Sequence, residues 1–373
     1  MFIWNLESIY LLVLSNNVLI PLTITINGFF YLQIDMDILD KNCTAWIKEL
    51  TDKNTTTEDM NIQFRKRNTT GIIFISLLIV LGIIGNLLVI FIFAWKFNRS
   101  TYRVYVLCLA FLDSVNCCFT MPFVLSYLLF MQDYPSAILC KVGHFVGFYI
   151  GIASPFTLIL IAVDRYKNVC RPLSVQWSVK KAKLSCIIII VIALMISWHV
   201  PFIYGISEIK SANGGITVTQ CFKEDGVLLQ EVAWWQYIIL TVLMVIVSGC
   251  LIVTYFVIMI RVHRMSTIFT KYTPENRSLN KSAAFATRNI QTTKTTLTFF
   301  IITTVYALSS LIHHSLALAL HVGSNLECSM TYAQGVVFWT LFWTIFINNI
   351  ANPVIYGLSD KRFRQRLKTL FSS

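Results

Sequence analysis

The chain has 373 residues, 56% of them apolar and only 13% charged, with 30 Lys and Arg against 18 Asp and Glu. A soluble domain carries about a quarter charged residues, so this composition, with a mean hydropathy of +0.68, excludes a soluble globule and predicts helices in lipid. The cationic excess is then a question of membrane side, not of nucleic acid, since no basic stripe with interleaved aromatics is present.

In chain order, residues 1–34 are mostly apolar but are interrupted by Ser15, Asn16, Asn17 and Pro21 and lack a basic start. They read either as a cleaved signal peptide or as an unstructured leader. Residues 35–70 are polar and hold N-x-[ST] glycosylation sequons at Asn42, Asn54 and Asn68, so 1–70 reads as an N-terminal extracellular segment. Gly71 to Trp95 is uncharged and long enough to cross about 30 Å of hydrocarbon. Six further spans follow at roughly Val104–Met131, Cys140–Val163, Leu184–Tyr204, Ala233–Ile260, Thr295–Leu320 and Ala333–Leu358. The expected fold is an all-α membrane protein, a seven-transmembrane helix bundle over 71–358. Trp95, Trp234, Trp235 and Trp339 near span ends are expected at the headgroup level. From Asp360 to Lys368 apolar residues recur four apart amid cations, so 359–373 reads as a short amphipathic helix and tail on an anionic inner leaflet.

Connections that follow the odd-numbered spans, with the C-terminal tail, hold 21 Lys and Arg and three acids, about +18 net; the opposite side is about −5. The positive-inside rule makes the first face cytoplasmic, with the N-terminus outside and the C-terminus inside, as in a multi-pass plasma-membrane protein. Arg65, Lys66 and Arg67 run against this, because they fall outside.

Asp113 lies mid-span with no opposite charge in any span at its depth, so it must be protonated, hydrated or bound to a cation. Asp164-Arg165-Tyr166 closes the third span and Asn352-Pro353-Val354-Ile355-Tyr356 the seventh; Asn86 follows Gly85 in the first, and Cys140 opens the third from outside. In this order, side and depth the chain resembles the rhodopsin-like family of G-protein-coupled receptors, over about Gly71 to Phe371.

That resemblance implies a disulfide from Cys140 to Cys221, leaving Cys43 and Cys328 either as a second bridge or as free thiols. It implies a hydrated sodium pocket from Asp113, Ser154, Asn348 and Asn352 with Asn86 nearby, against the plainer reading of a polar network without the ion. It implies an activation relay in which Arg165 leaves Asp164 for Tyr255 and Tyr356 as the sixth helix swings outward, while Leu173, after Pro172, plugs into the G protein. Arrestin and receptor kinases are implied as further partners, with Thr267, Thr270, Thr273 and Ser278 as candidate phosphorylation sites. The chain also departs from the family. It reads Tyr306-Ala307-Leu308-Ser309-Ser310-Leu311-Ile312 where a tryptophan and a proline are usual in the sixth helix, Val247 near the fifth-helix proline, and Ile192 where the fourth helix commonly has tryptophan. Proline kinks supply hinges, so a divergent or non-signalling decoy receptor stays an alternative.

By the same resemblance an amine receptor would need a carboxylate where Gly147 stands, and an opsin a lysine that 333–358 lacks. Asn213-Gly214-Gly215 before an alternating Ile216–Phe222 signals a β-hairpin, and peptide receptors of the family resemble this. Glu208, Glu224, Asp225, Glu231 and Glu327 would give the mouth a field that steers a cationic peptide, unless they form an ordinary solvated surface. His144, Gly147, Gln236, His313, His314, Trp339 and Trp343 are the candidate ligand pocket, the histidines reading equally as hydrogen-bonded core residues. Adjacent His313 and His314 lie about 100° apart on a helix, so at least one is expected to face the bundle. The preferred reading is a receptor for an extracellular peptide acting on a heterotrimeric G protein, with no enzyme chemistry, no cofactor beyond the sodium ion and no other metal. A transporter is the more distant alternative, against which stand seven unpaired spans and a single buried acid.

Overall fold

The computed structural model describes residues 8–15, 18–25, 56–210, 217–223, 227–271, 279–322 and 330–371. Within the apolar leader, β1 (Ser8–Ser15) pairs antiparallel with β2 (Val18–Thr25), so strands stand where the sequence reading offered an unstructured leader.

Helix α1 (Thr57–Arg67) was not expected. It starts on a capping box: the Thr56 hydroxyl accepts from the Asp59 N–H, and the Asp59 carboxylate accepts from the Thr56 N–H. The box also holds the Asp59 carboxyl below the ordinary 3.8, chiefly through the Thr56 hydroxyl and then the Thr56 N–H. Arg65 Nη1 donates to Leu129 O at 3.0 Å and Arg67 Nη2 to Met330 O at 2.7 Å. Arg65 and Arg67 of the basic cluster that ran against the charge rule therefore close carbonyls at the Cys140 end of the bundle. Asn68, the third sequon, is wholly buried between α1 and the first span, and its amide donates to Phe64 O at 3.2 Å. A glycan cannot share that space, so this position is corrected from glycosylation site to helix junction. Asn42, Asn54, Cys43 and Cys328 lie outside the described residues.

Among the described residues, seven helices are long and apolar enough to cross a membrane: α2 (Thr69–Lys96), α3 (Thr101–Leu129), α4 (Ala137–Cys170), α5 (Val179–Ile203), α6 (Ile238–Met265), α7 (Thr292–Leu320) and α8 (Tyr332–Ser359). Helix α4 packs on α3, α5, α6 and α7 and forms the axis of the bundle. Leu77, Leu81 and Ile84 of α2 and Leu184, Ile187 and Val191 of α5 are exposed, as expected of surfaces that face lipid. Without a hydrophobic gain between helices in lipid, close packing must hold them. At Gly85 an added Cβ would stand 3.0 Å from two ring carbons of Pro353, so glycine sets the approach of α2 to α8.

Irregular turns interrupt several of the described spans. In α3 a π-turn at Asn116–Thr120 closes through the Met121 N–H on Asn116 O. In α8 a 3₁₀ stretch runs over Trp343–Phe346. Pro353, also in α8, has no N–H for the carbonyl of Asn349 four residues earlier. Asn86 Nδ2 supplies the missing donor, reaching Asn349 O at 2.7 Å.

The expected hairpin is present. Strand β3 (Tyr204–Lys210) pairs antiparallel with β4 (Thr217–Lys223), placing Ile206 opposite Cys221, and Cys140–Cys221 is a disulfide with Cα atoms 5.5 Å apart. Thr219 exchanges backbone hydrogen bonds with Gln132 and Tyr134, tying the hairpin to the end of α3. After α8, helix α9 (Lys361–Phe371) is amphipathic as expected, and Phe363 is buried with its ring stacked on Phe93. Trp95 and Trp235 are exposed, but Trp339 is buried against Phe342 and Trp343, a core residue and not the headgroup anchor its position suggested.

Candidate functional site

Among the described residues, three sites lie along the bundle between the Cys140 and Arg165 ends of α4. The first is a cavity of about 360 Å³ between α3, α4, α6, α7 and α8 beneath the hairpin. His144, one turn below Cys140, stacks on Tyr204 at 4.1 Å and meets the Phe123 edge at 5.1 Å. Gly143 beside it admits no Cβ, because the Phe123 ring already occupies the position. Of the expected pocket residues, His144, Gly147, His313, His314 and Trp343 line the cavity. Gln236 and Trp339 do not. Both histidines of α7 face it: His313 Nδ1 lies 2.8 Å from Phe342 O, and His314 Nδ1 is buried without a partner. His144 Nε2 is likewise unpartnered. Cys140, His144 and Cys221 lie together like a metal triad, but both sulfurs belong to the disulfide and offer no thiolate.

Below the cavity is a polar layer. Asn352 Nδ2 donates to Asp113 Oδ2 at 2.6 Å, and Asn116 Nδ2 to Asn349 Oδ1 at 3.0 Å. Of the five expected sodium-pocket residues, Asp113 and Asn352 are joined directly, Asn86 enters through the Asn349 carbonyl, and Ser154 and Asn348 line the cavity floor. Buried oxygens of Asn86, Ser154, Asn348 and Asn352 have no hydrogen-bond partner. Such orphans in a bundle interior require water or a cation.

The third site closes α4 at its C-terminal end. Arg165 pairs with Asp164 through Nε and Nη2, and Asn168 Nδ2 also donates to Asp164 Oδ2, at 3.0 Å. Arg165 Nη1 donates to Thr295 Oγ1 on α7 at 3.1 Å, with the guanidinium 5.8 Å from the Phe299 ring centre. The arginine is therefore latched to the helix that the relay would move. Tyr255 and Tyr356 are buried nearby, and neither hydroxyl makes a hydrogen bond among the described residues. Tyr166 borders the latch at intermediate exposure, and Leu173 projects fully exposed from the connection that follows.

Asn116, Asn349 and Thr295 were missed from sequence. Asn349 was findable, since it stands four residues before Pro353 and loses its helical donor there. Thr295 carried no signal, because a threonine one turn into a span has many other uses.

The sequence matches 7 transmembrane receptor (rhodopsin family) over residues 85–356, more than half the chain, and the protein belongs to that family. It is similar to Tachykinin-like peptides receptor 86C of Drosophila melanogaster, at 25% identity over 83% of this chain and 59% of the relative. Tachykinin-like peptides receptor 99D of the same organism is 26% identical over 77% and 54%. "Rhodopsin, GQ-coupled" of Mizuhopecten yessoensis is 25% identical over 79% and 58%. The chain thus spans less than two thirds of the length of these relatives.

Proposed function

We propose that the protein is a plasma-membrane receptor that couples an extracellular peptide to nucleotide exchange on a heterotrimeric G protein, N-terminus outside and C-terminus inside. The observation that carries this is the placement, on one helix, of a cavity at the Cys140 end and a latched Arg165 at the other. A ligand that binds more tightly when α7 is displaced shifts the latch equilibrium by its differential affinity. Once free of Thr295, Arg165 has the unpartnered hydroxyls of Tyr255 and Tyr356 as acceptors, and the vacated inner face receives the G protein beside Leu173. Two of the relatives are named for tachykinin-like peptides. The opsin relative does not transfer its chemistry, since α8 has no lysine for a retinal Schiff base.

The polar layer fits a small hard cation: Asp113, Ser154, Asn348 and Asn352 would hold a sodium ion, which supplies the charge that a buried carboxylate otherwise lacks. Arrestin, receptor kinases and anionic lipid under α9 are the further partners of this reading, with Thr267 and Thr270 as the candidate kinase sites on described helix; Thr273 and Ser278 lie outside it. The test is a peptide-library screen on the full chain, reading nucleotide exchange on added G protein. Peptide-dependent exchange is expected, and binding without exchange under any G protein would instead mark a decoy.

A further inference from the structure

A helix that moves one end against the other needs a joint, and the sharpest joint inside a span is a proline, which withholds one backbone hydrogen bond. Helices α6 and α7 carry none. Over 238–265 and 292–320 every residue keeps its N–H, and Val247 and Ile312 stand where the family usually has proline. Proline is found instead inside α4, at Pro155. That helix is the axis of the bundle, and Pro155 lies between its cavity and its latch, ten residues before Arg165. Pro122 follows the π-turn of α3 and Pro201 stands in the last turn of α5, neither on a helix that bears the latch.

The joint of α4 also differs from that of α8. At Pro353 the carbonyl of Asn349, deprived of its helical donor, is closed by Asn86 Nδ2 at 2.7 Å, which braces α8 on α2. At Pro155 the deprived carbonyl is that of Gly151. Gly147, Gly151 and Pro155 follow one another at intervals of four and all line the cavity, so the proline opens its helix on the cavity side. A Cβ added at Gly151 would meet nothing within 4 Å, and this turn therefore has room to open and close. Beyond the joint, Leu158, Ile161, Ala162, Asp164 and Arg165 are buried and form one packed segment that carries the latch.

Building on the receptor reading, we infer that Pro155 is the joint of the switch: α4 bends there, α7 is displaced relative to it as a straight rod, and an occupant of the cavity parts Arg165 from Thr295 by changing that bend. The occupant acts directly, because the open side of the joint is part of the cavity wall. Ten residues of helix make an arm of about 15 Å, so a change of about 10° in the bend carries the arginine about 2.5 Å sideways. That takes the 3.1 Å bond from Arg165 Nη1 to Thr295 Oγ1 out of hydrogen-bonding range. Pro155 is thus a positioning residue that acts through Arg165.

The test uses the full chain in nanodiscs and reads nucleotide exchange on added G protein without ligand, so that contacts of Pro155 with a ligand play no part. Thr295→Val, which loosens the latch, is the parent. Pro155→Ala returns a donor to Gly151 and should lower the parent's exchange about tenfold, the worth of the one backbone hydrogen bond that bending must then break. Its thermal unfolding should be no lower than the parent's. Adding Ile312→Pro, or Leu308→Pro one turn away where the first does not fold, gives α7 a joint and should recover the exchange. A second measurement needs neither ligand nor G protein. In the wild-type chain amide protection, taken relative to intrinsic rates, should be about tenfold lower over 151–158 of α4 than over 302–312 of α7, and Pro155→Ala should remove the difference. Unchanged exchange in displayed Pro155→Ala would overturn the inference and leave the receptor reading intact. A loss that neither α7 proline recovers in folded protein would also overturn it, since Pro155 would then be a packing residue, and so would equal protection of the two helices. No exchange from the parent on any G-protein class would remove the receptor reading and the switch with it, while amide protection still decides whether α4 has the joint.

Discussion

At the Arg165 end of α4 a buried carboxylate and guanidinium lie side by side and reach α7 through Thr295, whereas near its Cys140 end the same helix borders a cavity whose described wall carries no charge. The contrast follows from what each end must do. A latch needs strong, directional interactions that exist in one arrangement and are exchanged for others when the helix moves, and a paired buried charge provides them. A pocket within the bundle that bore a lone charge would pay its desolvation whenever the ligand was absent. Neutral groups that are both donor and acceptor keep water or ligand there at lower cost.

The strongest way to break this comparison is at the inner end. Arg165→Ala should abolish ligand-stimulated exchange, and it leaves Asp164 buried without its cation. Removing one partner of such a pair destabilises by about 3–5 kcal/mol, so surface display should be measured alongside exchange. Retained exchange in displayed protein would dissociate the latch from signalling. At the outer end, Cys221→Ser removes the bridge that holds the hairpin over the cavity, with an expected loss of about 2–5 kcal/mol, read as lower surface expression and weaker binding. Unchanged binding would show that the hairpin is held by Gln132 and Tyr134 alone.

Thr295→Val sharpens the comparison. It removes one neutral acceptor from Arg165 while leaving the Asp164 pair intact, about 1.5 kcal/mol for a hydrogen bond to a charged group. Basal exchange without ligand should therefore rise about tenfold. A fall in basal exchange would mean that Thr295 supports the active arrangement instead. The smallest effect concerns α1. Because the folded Asp59 carboxyl titrates below its ordinary 3.8, the stabilisation from the capping box is complete above the unfolded value and is lost as pH falls through the folded one. Protection of the α1 amides, taken relative to their intrinsic exchange rates at each pH, should fall below about pH 4, and Thr56→Ala should abolish that pH dependence.

The spans were legible because lipid leaves a helix with no alternative to an uncharged run of about twenty residues, and the inner latch because Asp164, Arg165 and Tyr166 are adjacent in sequence. The hairpin was legible from Asn213-Gly214-Gly215 and the alternation after it. What sequence did not reveal depends on neighbours distant in the chain. Helix α1 is short and polar, and its stability comes from contacts with Leu129, Gln132 and Met330. Trp339 has the position of an interface residue and the environment of a core one. The charge-free wall could not be read at all, because it is a property of some two dozen residues from five spans and not of any motif.

The claim on which the account rests is that the two ends of α4 face opposite sides of the membrane. Epitope tags placed before Gly71 and after Phe371 test it directly in intact and permeabilised cells. The account predicts antibody labelling of the first tag in intact cells and of the second only after permeabilisation. Labelling of both tags from the same side would contradict it.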